Sequence, residues 1–381
     1  MKKSVVALAS LFVLVPAIAV GCGGDNAAVA TSGDDGGGGD DGGGTVDGSG
    51  GKDSGGKDSG GNDAAGNDAA GNDGGTSDGA TRDSGGTDAS TGAIQTVFII
   101  MMENHSLTDI QGSASAPYYN NTLIPMGARP LNYKTPPSNH PSEPNYIWLE
   151  AGNNLGITND NDPAQNHQST TEHLVTQLKN ANITWKAYAE DITGTTCPIT
   201  GVNQYAPRHT PQLFFDDVVG NPPSANNAYC IAHVRPFSEL ATDLNGTSVA
   251  RFNFISPNLC NDSHGSGITG PCPNIGINTP DLVKLGDDWL KHNIPVIMAS
   301  QAYLNNGAIF IIWDEGSGLI TGSDGPLPFI VLSPKAKANY SNNVAYTHSS
   351  TLRTFEQIFG VPLLRDAANA TSLSDLFTSF P

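Results

Sequence analysis

The sequence predicts a layered α/β domain in which helices cover both faces of a central, mostly parallel sheet. Short β-branched and aromatic runs alternate with helix-length segments between residues 94 and 381, the order expected of an α/β layer fold. Several of those runs are continuously apolar rather than alternating, which suits strands covered on both faces. Polar residues bunch where the runs end, and open α/β sheets place their ligands there.

Strands are expected at residues 96–101, 184–187, 252–256, 295–298, 308–313 and 328–332. Ser169 and Glu172 read as a capping box for a helix over 173–178. The Thr279-Pro280 pair opens a second helix that runs through Trp289 to His292. A third helix spans 351–359 and stops at Gly360.

The 381 residues carry 37 Asp plus Glu against 18 Lys plus Arg, a formal net charge of −19. No basic face is available for a phosphate backbone, so a nucleic-acid partner is excluded. The charge is spread over distinct segments. Residues 1–21 have Lys2 and Lys3 followed by an apolar run to Val20, the layout of a signal peptide. The run ends at Gly21-Cys22, and small residues before a single Cys resemble the bacterial lipoprotein processing site. Cys22 is the expected lipidated terminus. Residues 23–93 hold 25 Gly and 14 Asp without an aromatic residue or Pro, including a GGKDS-like repeat from Gly50 to Gly74. Such a stretch buries too little apolar surface to offset ordering entropy and reads as a tether. Its random-coil reach is roughly 50 Å. The expected division is a signal peptide over 1–21, an anchor and tether over 22–93, and a catalytic domain over 94–381. The chain is expected to be exported to the bacterial cell envelope, lipid-anchored in the outer membrane, or secreted. Contact with a membrane would come through the N-terminal lipid only.

The domain contains Cys197, Cys230, Cys260 and Cys272. Four Cys in an exported chain permit three pairings. Proximity favours Cys260–Cys272 and leaves Cys197–Cys230; a set of metal thiolates is the alternative, and no compact Cys pair supports it.

Five polar clusters stand out. VFIIMMENHS runs from an apolar strand into Glu103 and Asn104, a carboxylate able to ligate a cation and an amide able to donate to a phosphoryl oxygen. NHPSEPNY sets Ser142 between Pro141 and Pro144, which stiffen the backbone around a hydroxyl near a helix start. FNFISPNLCNDSHG places Asn258, Asp262 and His264 just past a strand, a set suited to a metal. IFIIWDEG puts Asp314 and Glu315 directly after the strongest strand, where two adjacent carboxylates are costly unless paired or metal-bound. YTHSS places His348 before a helix. His167, His209 and His233 are weaker candidates for a substrate mouth. No G-x-S-x-G elbow occurs, so an α/β-hydrolase reading has no anchor.

Taken in order, the clusters resemble the phosphoesterase family of bacterial acid phosphatases and phospholipases C, within the alkaline phosphatase superfamily. WKAYAEDI, YAPRH, GDDWLKHNIPVIMAS and HSSTLRTFEQIFG extend the likeness. HPSEPNY is similar to secreted acid phosphatases of the mycobacterial type, some of which dephosphorylate phosphatidylinositol 3-phosphate. The resemblance implies an alkaline-phosphatase-like sheet and hydrolysis of phosphate monoesters through a phosphoserine on Ser142. It implies one or two divalent metal ions. Glu103, Asp314 and Glu315 fall in one metal group, and Asn104 steadies the phosphoryl group. Asn258, Asp262, His264 and His348 fall where a second metal sits in two-metal relatives, with His264 or His348 able to protonate the leaving group. Asn258 is neutral where a carboxylate is expected, and Glu315 replaces an imidazole, which points to one firmly held metal or a harder ion than zinc. The implied partner is a phosphorylated small molecule or a phospholipid headgroup. Two other readings stand beside this one: a phosphodiesterase of the phospholipase C type, and a non-catalytic surface module that binds a phosphate ligand.

Overall fold

The computed structural model describes residues 93–246, 249–265, 272, 281–318 and 322–381. The expected signal peptide and all but the last residue of the tether lie outside the described residues.

Eight strands form one sheet: β1 (Thr96–Met102), β2 (Ala128–Lys134), β3 (Trp185–Ala189), β4 (Val234–Pro236), β5 (Phe252–Ser256), β6 (Gly307–Trp313), β7 (Phe329–Leu332) and β8 (Tyr340–Thr347). Their order is β4-β3-β5-β1-β6-β7-β2-β8. All neighbours pair in parallel except β7, which is antiparallel to both β6 and β2. β1 and β6 lie at the centre, and every residue of both is buried, as their unbroken apolar runs require. Their register pairs Thr96 with Gly307 and Met102 with Trp313, so the two strands end side by side. Glu103 and Asp314, the next residues, therefore emerge at one carboxyl edge of the sheet.

Four longer helices accompany the sheet: α1 (Ser142–Ala151), α2 (Leu174–Asn180), α3 (Leu282–Met298) and α4 (His348–Phe359). Helix α1 carries Pro144 in its first turn, where a missing N–H is harmless. It stops at Gly152, whose φ of 72° is left-handed. A Cβ there would lie 2.6 Å from the Leu364 carbonyl oxygen. Helix α4 begins on a capping box of Thr347 and Ser350 and ends at Gly360 in the left-handed region.

Three expectations need correction. Residues 295–298 are the last turn of α3, not a strand. Ile294 and Ile297 are buried while Val296 is 47% exposed, a helical spacing that the short apolar run concealed. Ser169 and Glu172 do not cap α2: its N-cap is His173, and the Ser169 hydroxyl donates to Asp216 at 2.5 Å. The start of α3 is capped by Asp281, which accepts from the Lys284 N–H at 3.0 Å; the Thr279-Pro280 pair lies outside the described residues. Strands β2, β4 and β8 were not anticipated. β8 is an edge strand with four polar residues, Ser341, Asn342, Asn343 and Thr347, and little burial, as exposed edges require. β2 carries Pro130, where its register against β8 shifts.

Both disulfides are formed, Cys197–Cys230 and Cys260–Cys272. The second closes the loop that presents Asp262.

Glu356 on α4 is fully buried; one carboxylate oxygen accepts from the Leu364 N–H at 2.7 Å and the other has no partner. Burial pushes its pKa from 4.5 up to about 8. The sign follows from linkage: the stability it contributes is complete below pH 4.5 and is lost as pH rises to about 8. Thermal melts of wild type and Glu356→Gln should therefore give a difference in Tm that changes steadily in the variant's favour between pH 4.5 and 8. Parallel melting profiles would refute this assignment.

Candidate active site

The carboxyl ends of β1, β5 and β6 bring three carboxylates together. The Glu103 N–H donates to the Asp262 carbonyl at 2.8 Å, and the Asp314 N–H donates to the Met102 carbonyl at 3.0 Å. The main chains are thus tied before the side chains are considered. Glu103, Asp262 and Asp314 are fully buried. Burial raises the pKa of each well above the ordinary carboxylate range, and mutual repulsion adds to it: Asp262 acts on Glu103, Glu103 on Asp314, and Asp314 on Asp262.

Ser142 opens α1 and points into this group. Its hydroxyl donates to Glu103 Oε2 at 2.9 Å. As the first residue of a ten-residue helix it lies at the positive end of the helix dipole. Asn104 adopts a left-handed φ of 50° and donates its N–H to Asp314 Oδ1 at 3.0 Å. With its amide oriented to donate, its side chain lies 3.2 Å from Glu315 Oε1 and 3.3 Å from Glu103 Oε2. Glu315 is buried, with its pKa pushed up to about 8 by burial and Asp314. His140 opposes that shift: it bridges Glu315 through Nδ1 and Asp324 Oδ1 through Nε2, the latter at 2.9 Å. An added Cβ at Gly322 would lie 2.1 Å from the Glu315 carboxyl carbon, so that loop position packs directly on the carboxylate.

His209 is wedged between two of the carboxylates. Its Nε2 lies 3.1 Å from Glu103 Oε1 and its Nδ1 3.1 Å from Asp262 Oδ2. Neither Nε2 nor those two oxygens makes a hydrogen bond of acceptable geometry. The ring stacks on Tyr146, 5.1 Å between centroids at 3°. His264 N donates to Asp262 Oδ1 at 2.8 Å, and its ring reaches the cleft. That cleft, about 310 Å³, is lined by Asn104, Ser142, Asp160, His264 and Glu315 among others.

Glu103, Asn104, Ser142, Asp262, His264, Asp314 and Glu315 are therefore gathered in one place. Asn258 and His348 are not, and both expectations change. Asn258 organises its own loop: its amide donates to Asp191 at 3.1 Å, and its Oδ1 accepts from the N–H groups of Cys260 and Asn261. His348 is buried with both ring nitrogens engaged, Nε2 on the Asp314 carbonyl at 2.6 Å and Nδ1 on the Tyr133 hydroxyl at 2.8 Å. Burial lowers its pKa to about 4, so it is a neutral strut that holds the Asp314 backbone. His167 pairs with Asp216 at 2.6 Å, and His233 stacks on Trp185, away from the cleft-lining residues. Sequence reasoning gave no role to His140, although it lies in the same motif as Ser142. It also ranked His209 low, although YAPRH was part of the likeness.

No three His, Cys, Asp or Glu side chains among the described residues already form a ligand set around one point. The residues nevertheless fit a divalent cation. Glu103 Oε1 and Asp262 Oδ2 are buried oxygens without a donor, and three buried carboxylates face one another. Oxygen-rich donors with one imidazole suit a hard or borderline ion.

The Phosphoesterase family matches residues 136–362. The chain belongs to that family. Membership makes it a phosphoric ester hydrolase. It is 28% identical over 281 residues to a protein named phosphatidylinositol-3-phosphatase from Mycobacterium tuberculosis, covering 74% of this chain and 82% of that one. It is 24% identical over 232 residues to the phosphate-repressible acid phosphatase of Penicillium chrysogenum, covering 59% of this chain and only 50% of that relative's length. Among solved structures, a Vibrio parahaemolyticus protein described as in the alkaline phosphatase superfamily aligns with a TM-score of 0.48 at 10% identity, over 76% of this chain and 73% of its own. Among the described residues no helix is long and apolar enough to cross a membrane.

The placement of His348 separates a strut from an acid. His348→Ala should lower stability by about 2–3 kcal/mol through a cavity and lost buried hydrogen bonds. Turnover of p-nitrophenyl phosphate and of an alkyl phosphate should fall by the same factor. A larger loss for the alkyl ester, whose leaving oxygen needs a proton, would restore His348 as the general acid.

Proposed function

We propose that the protein hydrolyses phosphate monoesters through a phosphoserine on Ser142. The observation that supports this most is the Ser142 hydroxyl, placed at a helix N-terminus in a cleft and hydrogen-bonded at 2.9 Å to a buried carboxylate.

Glu103 is the acceptor for the Ser142 proton as Oγ attacks phosphorus. A bond forms from Oγ to phosphorus, and the bond from phosphorus to the ester oxygen breaks. His264, whose ring lines the cleft, is the group on hand to give the leaving alkoxide its proton. Water, giving a proton back to His264, then attacks the phosphoserine; the bond from phosphorus to Oγ breaks, inorganic phosphate departs, and Glu103 returns the proton to Ser142. The Asn104 amide donates to a phosphoryl oxygen and holds it against the N-terminus of α1. A divalent cation held by Glu103, Asp314 and Glu315, with Asp262 and His209 beside them, would supply positive charge for the phosphoryl oxygens and acidify the Ser142 hydroxyl. His140 keeps the Glu315 carboxylate in place.

The likeness to the mycobacterial relative makes a phosphoinositide headgroup one candidate substrate. The Gly21-Cys22 junction supports a lipid anchor, with residues 23–93 as a spacer between membrane and domain.

Ser142→Ala should lower turnover of p-nitrophenyl phosphate at least about 10³-fold, with inorganic phosphate still binding. Rapid acid quench of wild type with labelled substrate should place phosphate on Ser142. Label on another residue, or full turnover by Ser142→Ala, would overturn the nucleophile. Faster turnover of bis-p-nitrophenyl phosphate or phosphatidylcholine than of the monoester would favour a phosphodiesterase instead.

Metabolic labelling with a fatty acid should mark wild type and miss Cys22→Ser. An unlabelled wild type would remove the anchor.

A further inference from the structure

We infer that Arg208 grips the non-bridging oxygens of the substrate's phosphoryl group and makes the cleft prefer a dianionic monoester to a monoanionic diester. The inference rests on the phosphatase reading above and assigns it a specificity residue.

Arg208 sits in the short turn Pro207–His209, immediately before the imidazole that separates Glu103 from Asp262. Its side chain is only 16% exposed. Its Nε is buried and has no hydrogen-bond partner. The nearest carboxylate oxygen, Asp160 Oδ2, lies 3.8 Å away, too far for a hydrogen bond. Asp160 itself lines the cleft with Ser142, Asn104, His264 and Glu315.

The other described arginines differ. Arg129 bonds to Gln111, Arg235 to Glu239, and Arg251 to the Gln95 carbonyl. Arg353 bonds to the Ala367 carbonyl, and Arg365 to the Ala151 carbonyl. Among the described residues, Arg208 alone has a guanidinium that makes no hydrogen bond. A buried guanidinium N–H with nothing to bond is costly unless a ligand completes it.

The charge of Arg208 reaches the site. Behind burial, its charge is among the influences on the protonation of Glu103, Asp262, His209 and His264. Among the described residues it is also the single Lys or Arg within ion-pair distance of a carboxylate lining the cleft. A phosphoryl group approaching Ser142 meets three buried carboxylates, and Arg208 adds fixed positive charge to that of the proposed divalent cation.

The chemistry then discriminates. A monoester dianion offers three non-bridging oxygens and two negative charges to a planar fork that binds two oxygens at once. A diester offers two such oxygens and one charge. Removing a nearby positive charge therefore weakens dianion binding more than monoanion binding.

The test compares p-nitrophenyl phosphate with methyl p-nitrophenyl phosphate, which share a leaving group. Arg208→Gln should lower kcat/KM for the monoester by about 100-fold, as loss of a charge-assisted bidentate contact implies, and for the diester by less than about 5-fold. Arg208→Lys should recover part of the monoester loss, because charge returns without the fork. Titration calorimetry with inorganic phosphate should show affinity reduced at least about 10-fold in Arg208→Gln, with wild-type melting behaviour as the fold control. Equal losses on both esters, or unchanged phosphate affinity, would overturn the inference. Recovery of the monoester rate by adding Asp160→Asn to Arg208→Gln would also overturn it, since Arg208 would then serve only to neutralise Asp160. A wild type that turns over neither ester would count against the phosphatase reading, while phosphate calorimetry would still decide the role of Arg208.

Discussion

Repulsion among three buried carboxylates governs the arrangement of this domain. Glu103, Asp262 and Asp314 are shielded from water, and each raises the proton affinity of a neighbour. A packed interior accepts such groups only when donors or a cation meet their oxygens. Donors are present in part: Ser142 on Glu103, the Asn104 N–H on Asp314, and the His264 N–H on Asp262. One oxygen of Glu103 and one of Asp262 remain unmet. Those two oxygens flank His209, and this is where the donor set calls for positive charge.

The sheet exists in the form that makes this crowding possible. Parallel pairing of β1 with β6, in register to their last residues, sets Glu103 beside Asp314. Pairing of β1 with β5 brings the following loop under Glu103, and the Cys260–Cys272 disulfide closes that loop. His348, at the head of α4, braces the Asp314 carbonyl. Helix α1 delivers Ser142 by its first residue, and Asp160 ties the next N–H at 2.9 Å. The reactive hydroxyl and the carboxylates are thus carried by different elements and fixed by backbone contacts. Such fixation suits a reaction that depends on electrostatic positioning more than on covalent effort by the protein.

The central strands were legible because burial on both faces leaves an unbroken apolar run, as in Val97–Ile100 and Ala308–Ile312. The edges were not, since β8 is built from Asn, Ser and Tyr and has no pattern of period two. The run at 295–298 misled because four apolar residues cannot distinguish a strand from the end of a helix. Carboxylates directly after a strong strand, Glu103, Asp314 and Glu315, were readable for the same reason as the strands. Asn258 and His348 were misplaced because sequence tells that a polar residue follows a strand or precedes a helix, not which way it turns. His140, His209 and Arg208 depend on contacts with residues between about 50 and 175 positions away, such as Asp160, Glu103 and Glu315, and no local pattern carries those.

We propose that the carboxylate cluster is a cation site, and the rest of the site depends on it. The direct measurement is metal content by elemental analysis together with thermal melting, on chelator-stripped wild type and on the same protein after divalent cation is returned. At least one tightly held ion per chain is expected, with a Tm that rises with cation concentration, as binding to the native state requires. Glu103→Gln should bind less and show a smaller rise. A stripped protein that takes up no ion and melts at the same temperature in saturating divalent cation would contradict it.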